Sequence, residues 1–177
     1  AATEQLCALS ARVQAVLAAG EELTVSYEIA HAPEGLTSLK DGMTERLELW
    51  YNEMFKEMRA RDIARAATGI GPHLDDLVLA VGGMSLRSYG SQGQQRTGAL
   101  ALKLAELFYL RENVGEAPIL LLDDVMSELD TDRRAALLSF IRSEEIQTFI
   151  TATDAAYFPS ERMGTYRYVE NGQIRAM

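Results

Sequence analysis

The sequence predicts an α/β fold, a mainly parallel sheet flanked by helices, preceded by a mostly helical region. Three observations predict it. Past residue 68, short apolar runs alternate with amphipathic helical stretches, the pattern of strand–helix–strand units whose strands are covered by helices. One of those runs, Ile119-Leu120-Leu121-Leu122, is apolar at successive positions and ends on two acids, Asp123 and Asp124. Ahead of residue 68, apolar side chains recur mostly at helical spacing. The chain has 177 residues and is 47% hydrophobic, enough to bury a core.

The elements follow in order. Residues 3–19 place Leu6, Leu9, Val13, Val16 and Leu17 along one helical face, and Gly20 is a stop signal. Leu23, Val25, Tyr27 and Ile29 alternate with other residues, which predicts a half-buried strand over 23–30. Pro33 and Gly35 mark a loop over 31–39. A helix is expected over 39–65, with Met43, Leu47, Trp50, Met54 and Met58 as its apolar seam. Its six basic and six acidic residues between Lys40 and Arg65 cancel. They form a solvated face, or else Lys56, Arg59, Arg61 and Arg65 form a DNA-facing cluster. Gly69, Gly71 and Pro72 interrupt the pattern, so residues 1–68 and 69–177 are expected as separate regions.

The second region reads as a strand over 77–81, a turn at Gly82-Gly83 and a long helix over 91–112, with Leu100, Leu104, Leu107 and Phe108 aligned. A buried strand over 118–123, a helix over 130–142 and a strand over 146–152 come next. Asn171-Gly172 between two β-prone stretches predicts a two-residue hairpin.

Composition excludes some functions. The formal net charge is −9, which argues against a free-standing nucleic-acid binder, because affinity for DNA comes chiefly from neutralising phosphates. The single cysteine, Cys7, cannot form an internal disulfide and is expected as a packed thiol, in keeping with a reducing, cytoplasmic setting. No run approaches the ~18 apolar residues of a membrane span.

Two runs carry chemistry. Asp123-Asp124 stands where an apolar strand ends, and ligands of open α/β sheets bind at the carboxyl ends of strands. Such a pair can hold Mg²⁺ and orient an attacking water. It can also be a helix cap, or part of a nuclease metal pair, which would need further acids or His. Ser91-Gln92-Gly93-Gln94-Gln95-Arg96-Thr97 opens the long helix. Ser91 with Gln94 fits a capping box. The same helix N-terminus, with unpaired N–H groups and a positive dipole end, also suits a phosphate.

Order and spacing add a resemblance. Gly71-Pro72-His73-Leu74-Asp75-Asp76-Leu77 is followed by the Ser91–Thr97 run and by Leu120–Asp124. Ser127-Glu128-Leu129-Asp130 and Thr151-Ala152-Thr153-Asp154 then complete the series. The series resembles the C-terminal half of an ABC-type ATPase head: signature motif, Walker B, D-loop and switch. It is most similar to the RecF family of the ABC/SMC class. The resemblance covers residues 71–154; residues 1–65 would belong to that family's helical second lobe.

The resemblance implies ATP and Mg²⁺ as cofactors. Asp123 would position Mg²⁺ and Asp124 would act as general base or water-orienting acid. The signature segment Ser91, Gln92, Gly93, Gln94, Gln95 and Arg96 would bind ATP, with Ser91, Gly93 and Gln94 reaching the γ-phosphate held by a second subunit. Asp130 would face the nucleotide across that dimer, and Thr153 would occupy the switch position. The implied protein forms a head-to-tail homodimer with ATP, binds DNA at gaps or single-strand/double-strand junctions, and works with RecR and RecO in recombinational repair. Departures stand beside this. ABC proteins usually carry Glu where Asp124 stands, many have His at the position of Thr153, and the family more often has Arg in place of Leu74. No G-x-x-x-x-G-K-[ST] run occurs, so the sequence is expected to be the second half of a longer protein and not to hydrolyse ATP alone. A different SMC-like or RecN-type head, and a non-catalytic dimerisation and DNA-structure module, are the alternatives.

Overall fold

The computed structural model describes residues 2–33, 44–159 and 163–176. The chain divides into two compact units, residues 1–118 and 119–177.

The first unit is built on two helices and an antiparallel sheet. Helix α1 (Ala2–Leu17) packs on strand β1 (Leu23–Glu28) and on a second long helix further along the chain, residues 92–114. On the expected face Val13 and Leu17 are buried and Leu6 and Leu9 half-buried, whereas Val16 is 47% exposed, and the buried side extends to Ser10 and Gln14. The helical spacing holds, and the buried stripe is turned toward these two polar residues. Ser10 is accommodated by donating its hydroxyl to the Leu6 carbonyl; the Gln14 amide donates to Glu21, while its Oε1 is buried and accepts no hydrogen bond from the described residues. Cys7 is half-buried, with Sγ donating to the Val25 carbonyl; burial pushes its thiol pKa up.

Strand β2 (Asp76–Val81) pairs antiparallel with β1, Leu23 opposite Val81 and Glu28 opposite Asp76, and turns through Gly82-Gly83 into β3 (Met84–Ser85). The expected break at 68/69 thus lies between two strands of one sheet. Leu23 and Val25 point inward as their alternation required. The strand stops before residue 30 because the Ala30 N–H is taken by the Asp75 carboxylate. Helix α2 (Thr44–Arg65) keeps the expected seam: Leu47, Trp50, Met54 and Met58 are half-buried and the off-seam Leu49, Phe55 and Ile63 are exposed, although no residue of the helix is fully buried. Residues 34–43, including Met43, lie outside the described residues. At roughly 100° per residue, Lys56 and Arg59 fall on the side of α2 opposite Arg61 and Arg65, so the four do not form one basic face.

The short α3 (Leu86–Tyr89) leads into α4 (Gln92–Val114), the helix on which α1 packs. Leu100, Leu104, Leu107 and Phe108 are all buried, as their spacing predicts. Gly98 lets α4 come close: a Cβ there would stand 2.5 Å from the Leu86 side chain.

The second unit holds β4 (Leu120–Asp123), α5 (Val125–Glu128), α6 (Thr131–Ser143) and β5 (Thr148–Thr151), then the hairpin β6 (Arg167–Glu170) and β7 (Gln173–Ala176). Strands β4 and β5 run parallel, with Asp123 opposite Thr151. This is the strand–helix–strand unit that the sequence predicts, and among the described residues it is where parallel pairing occurs; the other ladders are antiparallel. Strand β4 is not buried on both sides. Leu120 and Leu122 are buried, whereas Leu121 is 71% exposed and its partner Phe149 58%. Asn171 and Gly172 both take positive φ (50° and 75°), which fits a tight primed turn.

Candidate functional site

The acid pair sits where the parallel strands end. Asp123 is the last residue of β4 and is exposed; Asp124 follows it in the left-handed conformation (φ 51°, ψ 20°), ahead of α5. A non-glycine residue pays for that conformation, and Asp is among the few that tolerate it. Three groups hold it there. The Asp124 N–H donates to the Thr151 hydroxyl at 3.0 Å and to the Thr151 carbonyl at 3.2 Å, and its carbonyl accepts the Ser127 hydroxyl at 2.8 Å. The Thr151 hydroxyl in turn donates to Asp123 Oδ1.

Asp124 makes no side-chain cap bond to α5, so the capping explanation of this acid fails. One of its oxygens, Oδ1, is buried and accepts no hydrogen bond from the described residues. A buried unsatisfied carboxylate oxygen costs about 1–3 kcal/mol or more. Among the described residues no group of three or more His, Cys, Asp or Glu is arranged to hold a metal, so a nuclease-type metal pair has no support. A cation held by one or two carboxylates and completed by a ligand's phosphates does fit. Asp123 is exposed, with a second oxygen that Thr151 does not use, and the orphaned Asp124 oxygen could take a donor or a cation.

Asp130 is the N-cap of α6. It accepts the Arg133 backbone N–H at 2.9 Å and the Arg133 guanidinium at 2.8 Å, and these, the backbone bond first, hold its carboxyl below the usual range. Thr153 is exposed, two residues past β5. Thr151, which the sequence reading passed over as a site residue, is the one that touches both acids. Its signal was its place at the end of the neighbouring strand, but pairing register is needed to see that.

The signature run sits on the first unit. Ser91 caps α4: its hydroxyl accepts the Gln94 N–H and its own N–H donates to the Gln94 side chain, so the capping box is complete. Gln95 donates to the Leu86 and Gly90 carbonyls, tying α4 to the end of α3. Thr97 is buried and donates to the Gly93 carbonyl. Gln92 and Arg96 are exposed on the first turns, and Gly93 and Gln94 are half-buried.

The Gly71–Leu77 segment makes its own constellation. Asp75 accepts the hydroxyls of Tyr27 and Tyr51 and the Ala30 N–H, joining β1, α2 and the loop before β2. Burial first, and Asp75 second, push the Tyr27 hydroxyl up to about 12. His73 is exposed, with Nε2 3.1 Å from the Thr68 carbonyl, and Leu74 is 42% exposed.

No family model matches the chain. Curated relatives do. The DNA replication and repair protein RecF of Heliobacterium modesticaldum is 51% identical over 139 residues, 77% of this chain and 37% of the relative. That of Chloroflexus aggregans is 42% identical over 178 aligned residues, 99% of this chain and 44% of the relative. The chain therefore spans less than half the length of these relatives. A solved structure of the recombination mediator protein RecF with ATP, from the RecFOR pathway, superposes with a TM-score of 0.70 at 30% identity, over 98% of this chain and 44% of that one. An SMC ATPase structure, from work on ATP-driven dimerization and DNA stimulated activation, shares the fold alone: TM-score 0.56 at 13% identity, over 99% of this chain and 83% of that one. With identity of this level across nearly all of its residues and the fold of RecF itself, the chain belongs to the RecF family.

Proposed function

We propose that this chain is the part of a RecF-like DNA-repair ATPase that supplies the signature motif, the acid pair, the D-loop and the switch residue of the nucleotide site. The observation that carries the reading is the end of β4, where Asp124 is held in a left-handed turn with a buried oxygen that nothing in the described residues satisfies. A water or a metal ion would satisfy that oxygen. Bound Mg²⁺ would neutralise phosphate charge. Asp123 would hold it through the oxygen that Thr151 does not use, and Asp124 would accept the proton of the attacking water. In the same reading Ser91, Gln92, Gly93, Gln94, Gln95 and Arg96 present the positive end of α4 to the γ-phosphate of ATP on a second copy, Asp130 approaches that dimer contact, and Thr153 holds a phosphate oxygen or water through its hydroxyl.

The intact protein would dimerise head-to-tail with ATP, bind gapped or junction DNA, act with RecR and RecO, and work in the cytoplasm. Residues 1–68 would be part of the helical lobe and 69–177 part of the ATPase lobe. Among the described residues no helix is long and apolar enough to cross a membrane. The test is Asp124→Asn in the full-length protein that carries this chain. ATP binding should persist while turnover falls about 10²–10⁴-fold, the usual contribution of a general base. Turnover within twofold of wild type would remove Asp124 from the role.

A further inference from the structure

We infer that Thr151 is a positioning residue for the acid pair, acting on Asp123 through its hydroxyl proton and on Asp124 through its hydroxyl lone pair. The inference rests on reading Asp123 and Asp124 as the metal-and-water site. Asp123 and Thr151 are register partners at the ends of β4 and β5, and neighbouring residues across a parallel ladder project on the same face. A hydroxyl carries one proton and two lone pairs. Here the proton goes to Asp123 Oδ1 and a lone pair receives the Asp124 N–H at 3.0 Å.

Each bond does something different. The first fixes the rotamer of Asp123 and leaves its second oxygen as the one turned away from Thr151. The second anchors the amide of a residue whose backbone is left-handed, while Ser127 holds the carbonyl of the same residue from the other side. Asp124 is therefore clamped at both ends of its backbone, and the clamp sets the direction in which its side chain leaves the chain. Remove the hydroxyl, and the Asp124 amide keeps only the 3.2 Å bond to the Thr151 carbonyl, while Asp123 Oδ1 loses its donor. Thr148 provides a control on the same strand. Its hydroxyl donates to the Ile146 carbonyl and touches neither acid.

The test uses Thr151→Val, which keeps the shape and removes the hydroxyl, and Thr151→Ser, which keeps the hydroxyl. In the full-length protein, kcat for ATP should fall about 10–100-fold in the Val variant, the usual cost of removing a group that orients a metal ligand, and Mn²⁺ affinity should weaken by a comparable factor. KM for ATP should stay near wild type. The Ser variant should recover most of both losses, and Thr148→Val should leave both unchanged. In the 177-residue chain, the Asp124 amide should exchange faster in the Val variant and at the wild-type rate in the Ser variant. A Val variant with wild-type kcat, Mn²⁺ affinity and Asp124 exchange overturns the inference. So does a Ser variant as impaired as Val, since it would show that the methyl packing matters and not the hydroxyl. Asp123→Asn and Asp124→Asn run alongside separate the two claims. If those retain full turnover, the acid-pair reading fails; if they lose turnover and Thr151→Val does not, only the role of Thr151 fails.

Discussion

The N-terminus of α4 and the carboxyl end of β4, one in each unit, carry the two motifs on which the proposed function rests, and they are held in opposite ways. At the start of α4, Ser91, Gln94, Gln95 and Thr97 all bond near neighbours in the chain. Ser91 and Gln94 close a capping box three residues apart, Gln95 reaches back to Leu86 and Gly90, and Thr97 bonds Gly93. At β4 the decisive partner is 27 residues away, in Thr151, and one oxygen of Asp124 has no partner among the described residues. A motif whose polar groups are satisfied by near neighbours in the chain is explained by folding, whatever else it does. A motif that keeps a buried oxygen unsatisfied and a backbone in a costly conformation needs a further reason, and the first place to look is a ligand.

Three measurements would break or sharpen this contrast. The largest effect is expected at Ser91. If it only caps α4, Ser91→Ala should cost about 0.5–2 kcal/mol of stability and leave ATP-driven association intact. If it also meets the γ-phosphate of a second copy, Ser91→Arg in the full-length protein should abolish association in sedimentation with a slowly hydrolysed ATP analogue, while each monomer still binds ATP. A normal dimer from the Arg variant would leave capping as the whole of its role.

Next comes Asp124→Gly. Removing an unsatisfied buried carboxylate and placing glycine at φ 51° should make the 177-residue chain more stable by roughly 1 kcal/mol, after allowing for the entropy glycine adds to the unfolded chain. Urea unfolding reads the change. Destabilisation would mean that Asp124 makes a stabilising contact in the apo protein, and the contrast with Ser91 would lose its basis.

The smallest effect is expected at Tyr27. Its hydroxyl is raised to about 12 from the ordinary tyrosine value near 10, so the folded state favours the protonated form. The stability this contributes is fully present below pH ~10 and is lost as pH rises through ~12. Denaturation midpoints across that window should fall in the wild type and fall less in Tyr27→Phe. An equal slope in both would show that Tyr27 is not the group responsible.

Much of this protein was legible in its residues. The helix over 92–114, the β4–α6–β5 order, the hairpin at Asn171-Gly172 and the capping box follow from side chains near one another in sequence, where periodicity and turn chemistry act directly. The acid pair was legible as an apolar run that ends on charge. Other features were decided only by tertiary structure. The buried face of α1 rotated away from Val16, because Ser10 can return its proton to its own helix and the amide of Gln14 finds Glu21, so polarity alone did not mark the outer side. Strand β2 paired antiparallel with β1, an outcome that depends on which distant strand is free and not on the residues of either. Leu121 and Phe149 stayed uncovered, since an apolar run states that a face can be buried without stating what will bury it. And Thr151 acquired its hold on Asp123 and Asp124 through the parallel register of two strands joined by two helices. Hydrogen bonds between residues so far apart follow from where the backbone is placed, which no local pattern encodes.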